Sequence, residues 1–211
     1  MSAMEQTPHY LKPYEDAVEL HGGTFEATLW CSKESQLLRF KTFTKDIDFT
    51  GTSIVDVGCG LGDLASFLIE SNIKFKKYVG VDAMDVMIKS AKERTLPRCT
   101  FETSDVVVDN HLLQEADWFV FSGSLNAMLQ TDALTLIEQA FKACTVGVAF
   151  NFLSNQSWRE PASEDLAPAS RFDTLEVLRF AFTLTPLVFF TQSYLEGHDA
   201  TIIIRKQEVS Q

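Results

Sequence analysis

Long apolar runs are missing from this chain. No stretch approaches the ~18–20 consecutive apolar residues of a membrane-spanning helix, so no membrane span is predicted. Cations are scarce as well: lysine and arginine number 18 against 29 aspartates and glutamates, a formal net charge of -11. A surface that tracks phosphates needs clustered cations, which argues against nucleic acid as a partner. An anionic membrane surface is disfavoured for the same reason. Cysteine is sparse too. Cys31, Cys59, Cys99 and Cys144 lie tens of residues apart, with no CxxC and no Cys/His ligand spacing. No metal site is expected from them, and they read as reduced, mostly buried thiols of a cytoplasmic protein. Residues 1–10 are polar, contain Pro8 and lack a basic or apolar leader region, so no secretion signal is expected there.

What is present is an ordinary globular composition, 45% hydrophobic over 211 residues, and one domain is the expectation at ~150 residues per domain. No repeat and no low-complexity tract interrupts it. Residues 1–50 predict two helices, over 10–20 and 32–45, separated by Gly22-Gly23. Ser32 is a plausible N-cap for the second, with Leu37, Leu38, Phe40 and Phe43 as its apolar face. From Gly51 onward strands and helices alternate. Strands are expected at 53–57, 78–81, 99–103, 118–121 and 146–153. Helices are expected at 63–71, 86–94 and 131–144. A helix over 173–183 and strands over 187–194 and 201–205 close the chain, the last two joined by Glu196-Gly-His-Asp199 as an antiparallel hairpin. Such alternation predicts an open, doubly wound parallel sheet with helices on both faces.

The sharpest segment is Ile54-Val-Asp-Val-Gly-Cys-Gly-Leu-Gly-Asp63. A strand runs into a glycine turn and then a helix. In a doubly wound sheet that turn lies at the carboxyl edge, where ligands bind. Glycines admit a ligand close to the backbone, and helix N-terminal N–H groups can meet an anionic group. A dinucleotide fingerprint would be G-x-G-x-x-G; here Gly58 and Gly60 fit, but Asp63 takes the third place and Gly62 comes one position early. Val79-Gly-Val-Asp82 ends the second strand on a carboxylate placed to accept both ribose hydroxyls of an adenosine, with helix capping as the alternative. In Thr103-Ser-Asp-Val106, Asp105 could accept from an adenine amino group while the Val106 N–H faces the ring, or be a solvated loop residue. Ser122-Gly-Ser-Leu-Asn126 puts small residues at the edge after the fourth strand.

These motifs together resemble the class I S-adenosylmethionine-dependent methyltransferases, from about Thr52 to Lys206. The resemblance rests on VDVGCGLGD (55–63), GVDAMDVMI (80–88), TSDV (103–106) and FSGSLN (121–126). It implies a Rossmann-like seven-stranded sheet of order 3-2-1-4-5-7-6, the last strand antiparallel. Residues 1–50 would form a helical N-terminal cap and 51–211 the cofactor-binding core of a single domain. It implies S-adenosyl-L-methionine as cofactor, no metal, and a site built from Asp56, Gly58, Cys59 and Gly60 at the methionine end. Asp82 would hold the ribose, and Ala83, Met84 and Met87 would flank the adenine. Ser104, Asp105 and Val106 would read the adenine edge, with Ser122 and Gly123 completing the wall. A narrower resemblance, to small bacterial methyltransferase-like proteins, rests on WCSKESQLLRF (30–40), FSGSLN and FNFLS (150–154). Phe172 stands where that pattern often has tyrosine, removing any hydroxyl contact.

Arg39 is the candidate for the cofactor carboxylate, since a guanidinium fork matches a carboxylate bidentately. Gln36 lies three residues earlier on the same helix face. A structural or exposed role for both is the competing reading. Phe180, Phe182, Phe189 and Phe190 read as core rather than a substrate cage. No catalytic base stands out. Methyl transfer from a sulfonium needs chiefly alignment, and a base only where the acceptor must lose a proton. His9, His21, His111 and His198 are isolated; His21 and His198 are the two with site potential. Asn126, Asn151 and Tyr14 are further candidates to face the acceptor. Residues 154–172 predict a lid-like loop, with Trp158 and Arg159 as possible substrate contacts. The absence of Asp-Pro-Pro-Tyr or Asn-Pro-Pro-Tyr after the fourth strand, with the acidic charge, points to a small-molecule acceptor. The rival readings are a nicotinamide-dependent oxidoreductase and a non-catalytic, cofactor-binding partner subunit.

Overall fold

The computed structural model describes residues 8–109, 115–158 and 169–207. Candidate positions His111, Arg159 and most of the expected lid fall outside them. Strands β1 (Ser53–Val57), β2 (Lys77–Asp82), β3 (Cys99–Thr103), β4 (Ala116–Phe121), β5 (Cys144–Leu153), β6 (Val188–Thr191) and β7 (Asp199–Arg205) form one sheet. Its order is β3-β2-β1-β4-β5-β7-β6. β1 pairs parallel with β2 and β4, while β7 runs antiparallel between β5 and β6. The implied topology is therefore present, reversed strand included.

Helices α1 (Lys12–His21), α2 (Lys33–Asp46), α3 (Asp63–Glu70), α4 (Asp85–Glu93), α5 (Gln130–Ala143) and α6 (Thr174–Leu184) surround it. The central strands are apolar on both sides because both sides are covered. On one face Phe40 and Phe43 of α2, Leu64 and Leu68 of α3 and Ile88 of α4 pack with Ile54, Tyr78 and Trp118. On the other, Leu136 and Ile137 of α5 and Val177 of α6 pack with Phe119, Phe121 and Ile202. Phe172 stacks on Phe152 in that second core at 5.9 Å, which gives the residue a packing role. Of the four late phenylalanines, Phe180 and Phe189 pack against the core, whereas Phe182 and Phe190 are exposed.

Ser32 does cap α2, its hydroxyl accepting from Ser35 N at 3.1 Å. The face that α2 buries differs from expectation. Gln36, Arg39, Phe40 and Phe43 turn inward, and Leu37 and Leu38 are exposed. Positions 36, 39, 40 and 43 form one i, i+3, i+4, i+7 stripe. Two polar residues on that stripe disguised it. Among the described residues no helix is long and apolar enough to cross a membrane, and no group of three or more His, Cys, Asp or Glu side chains could hold a metal.

Candidate functional site

The carboxyl ends of β1, β2 and β4 open into a cleft that is continuous with solvent. Every residue expected at the cofactor site lines it except Arg39: Asp56, Gly58, Cys59 and Gly60 from the first turn; Asp82, Ala83, Met84 and Met87 from the second; Ser104, Asp105 and Val106 from the third; Ser122 and Gly123 from the fourth. The turn after β1 ties itself to β2. Gly58 N and Cys59 N donate to Val81 O at 2.8 and 3.0 Å, so those two N–H groups are engaged within the protein. Gly62 has φ +75°, and a Cβ there would come within 2.8 Å of the Phe101 ring. That close approach between helix start and sheet is why a glycine stands one place earlier than the dinucleotide pattern wants.

Asp82 bridges two loops. Oδ2 accepts from Gly60 N and Oδ1 from Met84 N, both at 2.9 Å. The N-cap of α4 is Met84, so the capping alternative for Asp82 does not hold. Burial pushes its carboxyl above the ordinary value, while the backbone donors from Met84, Gly60 and Ala83 pull it back. Each carboxylate oxygen keeps a lone pair free for a ligand hydroxyl. Asp105 is also preset: Oδ2 accepts the Tyr10 hydroxyl at 2.7 Å and Oδ1 the Val107 N–H at 3.0 Å. It is a half-buried loop side chain whose carboxylate is held in place by those two donors.

Asp56, at the end of β1, is 2% exposed. Its Oδ2 accepts the Tyr78 hydroxyl, and its Oδ1 has no hydrogen-bond partner. Burial raises its pKa to about 7, with the neighbouring Asp82 and Asp63 charges adding to the rise and the Tyr78 hydroxyl opposing it. Ser122 Oγ is a second buried atom on the wall without a partner. Unmade hydrogen bonds on buried groups are costly, and a cleft wall that carries them is shaped for a polar ligand.

Arg39 requires a correction. Its Nε and Nη2 donate to the two carboxylate oxygens of Asp199 at 2.9 and 2.6 Å, and both residues are buried. The fork that was expected to read a ligand carboxylate is occupied by β7, and Arg39 is not on the cleft wall. Its guanidinium carbon sits 4.4 Å from the centre of the Trp30 ring, and Trp30 is on that wall. A second contact is Gly123, φ +73°, where a Cβ would fall 2.5 Å from the indole. Trp30 thus touches both a cation and a bare backbone, a role its place in WCSKESQLLRF did not disclose. Gln36 does line the cleft, donating to Asp63 Oδ2 at 3.2 Å.

The N-terminal segment supplies Tyr10, Leu11 and Tyr14 to the cleft. Burial and the Asp82 charge push the Tyr14 phenol up to about 12, so it is a donor at neutral pH. Tyr10 and Tyr14 are four residues apart, a spacing that puts both on one helical face; that was the signal available for Tyr10. Asn126 and Asn151 do not line the cleft. Asn126 braces Leu153 N and Ser170 O, and Asn151 accepts Gly123 N at 2.8 Å. His21 is exposed at the end of α1, and His198 meets Arg171 at 2.8 Å; neither reaches the cleft. Trp158 is 88% exposed.

Residues 54–157 match the family model described as a methyltransferase domain. No curated protein matches the chain. Among solved structures, magnesium protoporphyrin IX methyltransferase of Synechocystis PCC 6803 with bound S-adenosylmethionine superposes with a TM-score of 0.62 at 13% identity, over 97% of this chain and 87% of that one. An O-methyltransferase family protein from Burkholderia thailandensis gives 0.66 at 12% identity, over 84% and 57%. The small RNA methyltransferase HEN1 gives 0.64 at 14% identity, over 85% of this chain and 26% of that one.

Proposed function

We propose that this chain, which matches a methyltransferase-domain model over residues 54–157 and shares the fold of solved methyltransferases, is a class I S-adenosylmethionine-dependent methyltransferase and that it methylates a small-molecule acceptor. In this reading the residues on the cleft wall hold the cofactor. Asp82 takes the ribose hydroxyls on its free lone pairs. Asp105, steadied by Tyr10, accepts from the adenine amino group, with Ala83 and Met84 against the ring. Asp56 Oδ1 faces the ammonium of the methionine end. The fit is good where it can be tested: an unpartnered buried carboxylate oxygen and an unpartnered hydroxyl stand on the wall, and the acidic lining suits a cation.

When bound, S-adenosylmethionine supplies a methyl carbon already activated by its positive sulfur. The chain's own residues then have to align an acceptor and exclude water, which accounts for much of the barrier reduction in such reactions. Trp30, Tyr14 and Leu11 roof the cleft and can do both. No lysine, arginine or histidine lines the cleft among the described residues, and so a deprotonated acceptor would have to use a carboxylate or arrive already nucleophilic.

The observation that favours a small acceptor is the roof itself. Tyr10, Leu11, Tyr14, Thr28 and Trp30 cover the carboxyl edge, and the molecule as a whole carries a charge of -11. A polynucleotide would meet like charge and a covered edge. The same acidic lining works against the pyrophosphate of a nicotinamide dinucleotide. The test is methyl transfer from labelled S-adenosylmethionine into metabolite extract and into total RNA, each with purified protein. Label in a low-mass product is the expected result. Label in RNA alone would overturn the small-molecule reading, and cofactor binding without transfer to either would favour a non-catalytic partner subunit.

A further inference from the structure

Asp56, Asp82 and Asp105, with the small residues around them, are the part of the cleft wall that the reading above gives to the cofactor. What is left for an acceptor is chiefly Leu11, Tyr14, Thr28, Trp30 and Met128. The polar side chains of that remainder are largely engaged inside the protein. The Thr28 hydroxyl donates to Phe25 O at 2.6 Å, and the Gln36 amide to Asp63 at 3.2 Å. The Ser124 hydroxyl donates to Val57 O and the Tyr10 hydroxyl to Asp105, both at 2.7 Å. Recognition of an acceptor there falls mainly to apolar side chains and to the rings of Tyr14 and Trp30.

Charge narrows the acceptor class further. Two guanidiniums touch wall residues, and both are answered: Arg39, 4.4 Å from the Trp30 ring, by the buried Asp199, and Arg94 by Asp63 at 2.7 Å. A carboxylate or phosphate on the acceptor would lose hydration with no lysine, arginine or histidine to meet it among the described wall residues. It would also feel Asp82 and Asp105, whose backbone and phenol partners orient them without cancelling their charge. A cation fares the opposite way, since those carboxylates attract it and so do aromatic faces.

The same residues bear on the proton. Both oxygens of Asp63 are engaged, by Arg94 and by Gln36, and Asp56, Asp82 and Asp105 each face a cofactor group in the reading above. Burial and the Asp82 charge push the Tyr14 phenol up to about 12, so it donates a proton rather than removing one. An acceptor that had to shed a proton would find no free base on this wall among the described residues. We propose that the acceptor is an uncharged, apolar molecule whose reacting atom, a heteroaromatic nitrogen or a thioether sulfur, brings its own lone pair and leaves as a cation. The inference rests on the cofactor assignment above and deepens the small-molecule reading. The acceptor lone pair bonds to the methyl carbon while the carbon–sulfur pair returns to sulfur. The positive charge passes from the sulfonium to the acceptor atom, no proton leaves, and the charge inside the cleft is unchanged.

Two measurements on the full chain test this, and both must succeed. The first is calorimetry in saturating S-adenosylhomocysteine with N-methylisoquinolinium and 2-naphthoate, probes of like size and opposite charge. The cation is expected to bind about tenfold or more tightly than the anion, a ratio within reach of unit charges in a partly buried cleft. Equal affinities, a preference for the anion, or binding of neither probe overturns the inference. The second is transfer from labelled S-adenosylmethionine into metabolite extract, with low-mass products separated by electrophoresis at neutral and at high pH. The labelled product is expected to stay cationic even at high pH, where simple amines have lost their charge. A neutral or anionic labelled product overturns the inference and leaves the methyltransferase reading intact. Label in RNA alone, or in nothing, overturns the small-molecule reading on which it rests. A chain that binds no S-adenosylhomocysteine overturns the cofactor assignment itself.

Discussion

Asp82 and Asp56 sit one strand apart, yet their environments ask opposite things of them. Asp82 is satisfied before any ligand arrives, with Gly60 N and Met84 N already on its two oxygens. Replacing it by alanine removes charge-assisted bonds to a ribose and unties the two loops. Asp82→Ala is therefore expected to weaken S-adenosylmethionine binding by about 1.5–3 kcal/mol, roughly ten- to a hundredfold, by calorimetry on a folded variant. Unchanged affinity would remove the ribose assignment. Asp56 instead weakens the fold in order to be ready for a ligand. Its pKa, raised from 3.8 to about 7, means that the folded chain holds a proton which the unfolded chain has released. Stability from this group is thus present below the unfolded value and declines as pH rises through about 7. Urea unfolding without ligand should show Asp56→Asn more stable than wild type at pH 8 and nearly equal to it at pH 4. Asp82 and Asp199 are shifted in the same direction, so the slope shrinks in the variant and does not vanish. Asp82 was legible from its place at the end of an apolar strand, about 20 residues after the glycine turn. Nothing in the sequence announced that Tyr78, 22 residues after Asp56, would deliver its hydroxyl beneath it.

The elements themselves were readable almost throughout, because their signals are local. β1 and β3 fall on the expected residues, and the helices start and stop within one or two positions of the expected ends. α2 shows where local reading stops. Leu37 and Leu38 are apolar but sit on the outer side, while Gln36 and Arg39 turn inward to partners 27 and 160 residues away. The buried Arg39–Asp199 pair fastens α2 to β7 and backs the Trp30 ring, so it couples a peripheral helix to the wall of the site. Removing one partner leaves an uncompensated buried charge. Arg39→Met is expected to cost about 3–5 kcal/mol in denaturant unfolding, and the double variant Arg39→Met with Asp199→Leu to recover much of that loss. If the two single losses simply add, the pair does not couple α2 to the sheet.

For the molecule as a whole, one sheet carries the site, and Tyr10, Leu11, Tyr14, Thr28 and Trp30 add the N-terminal wall. Ligand linkage gives a global check. S-adenosylmethionine at 100 times its dissociation constant should stabilise the fold by about 2.7 kcal/mol. NAD at the same concentration should leave the melting temperature unchanged, since a cleft walled by aspartates repels a pyrophosphate. A shift with NAD and none with S-adenosylmethionine would sink the assignment. The chain's pattern alone settled the doubly wound sheet and its closing antiparallel hairpin and pointed to the glycine turn and Asp82 as a ligand edge, because apolar periodicity and turn chemistry act between residues near one another in sequence; the role expected of Asp105 came only with the family resemblance. Which way α2 faces, that Arg39 answers Asp199 and not a ligand, and that Asp56 is left with a bare oxygen were settled only by the tertiary fold. Those outcomes depend on pairings across 22 to 160 residues, and a buried charge takes whichever partner the folded backbone brings within reach.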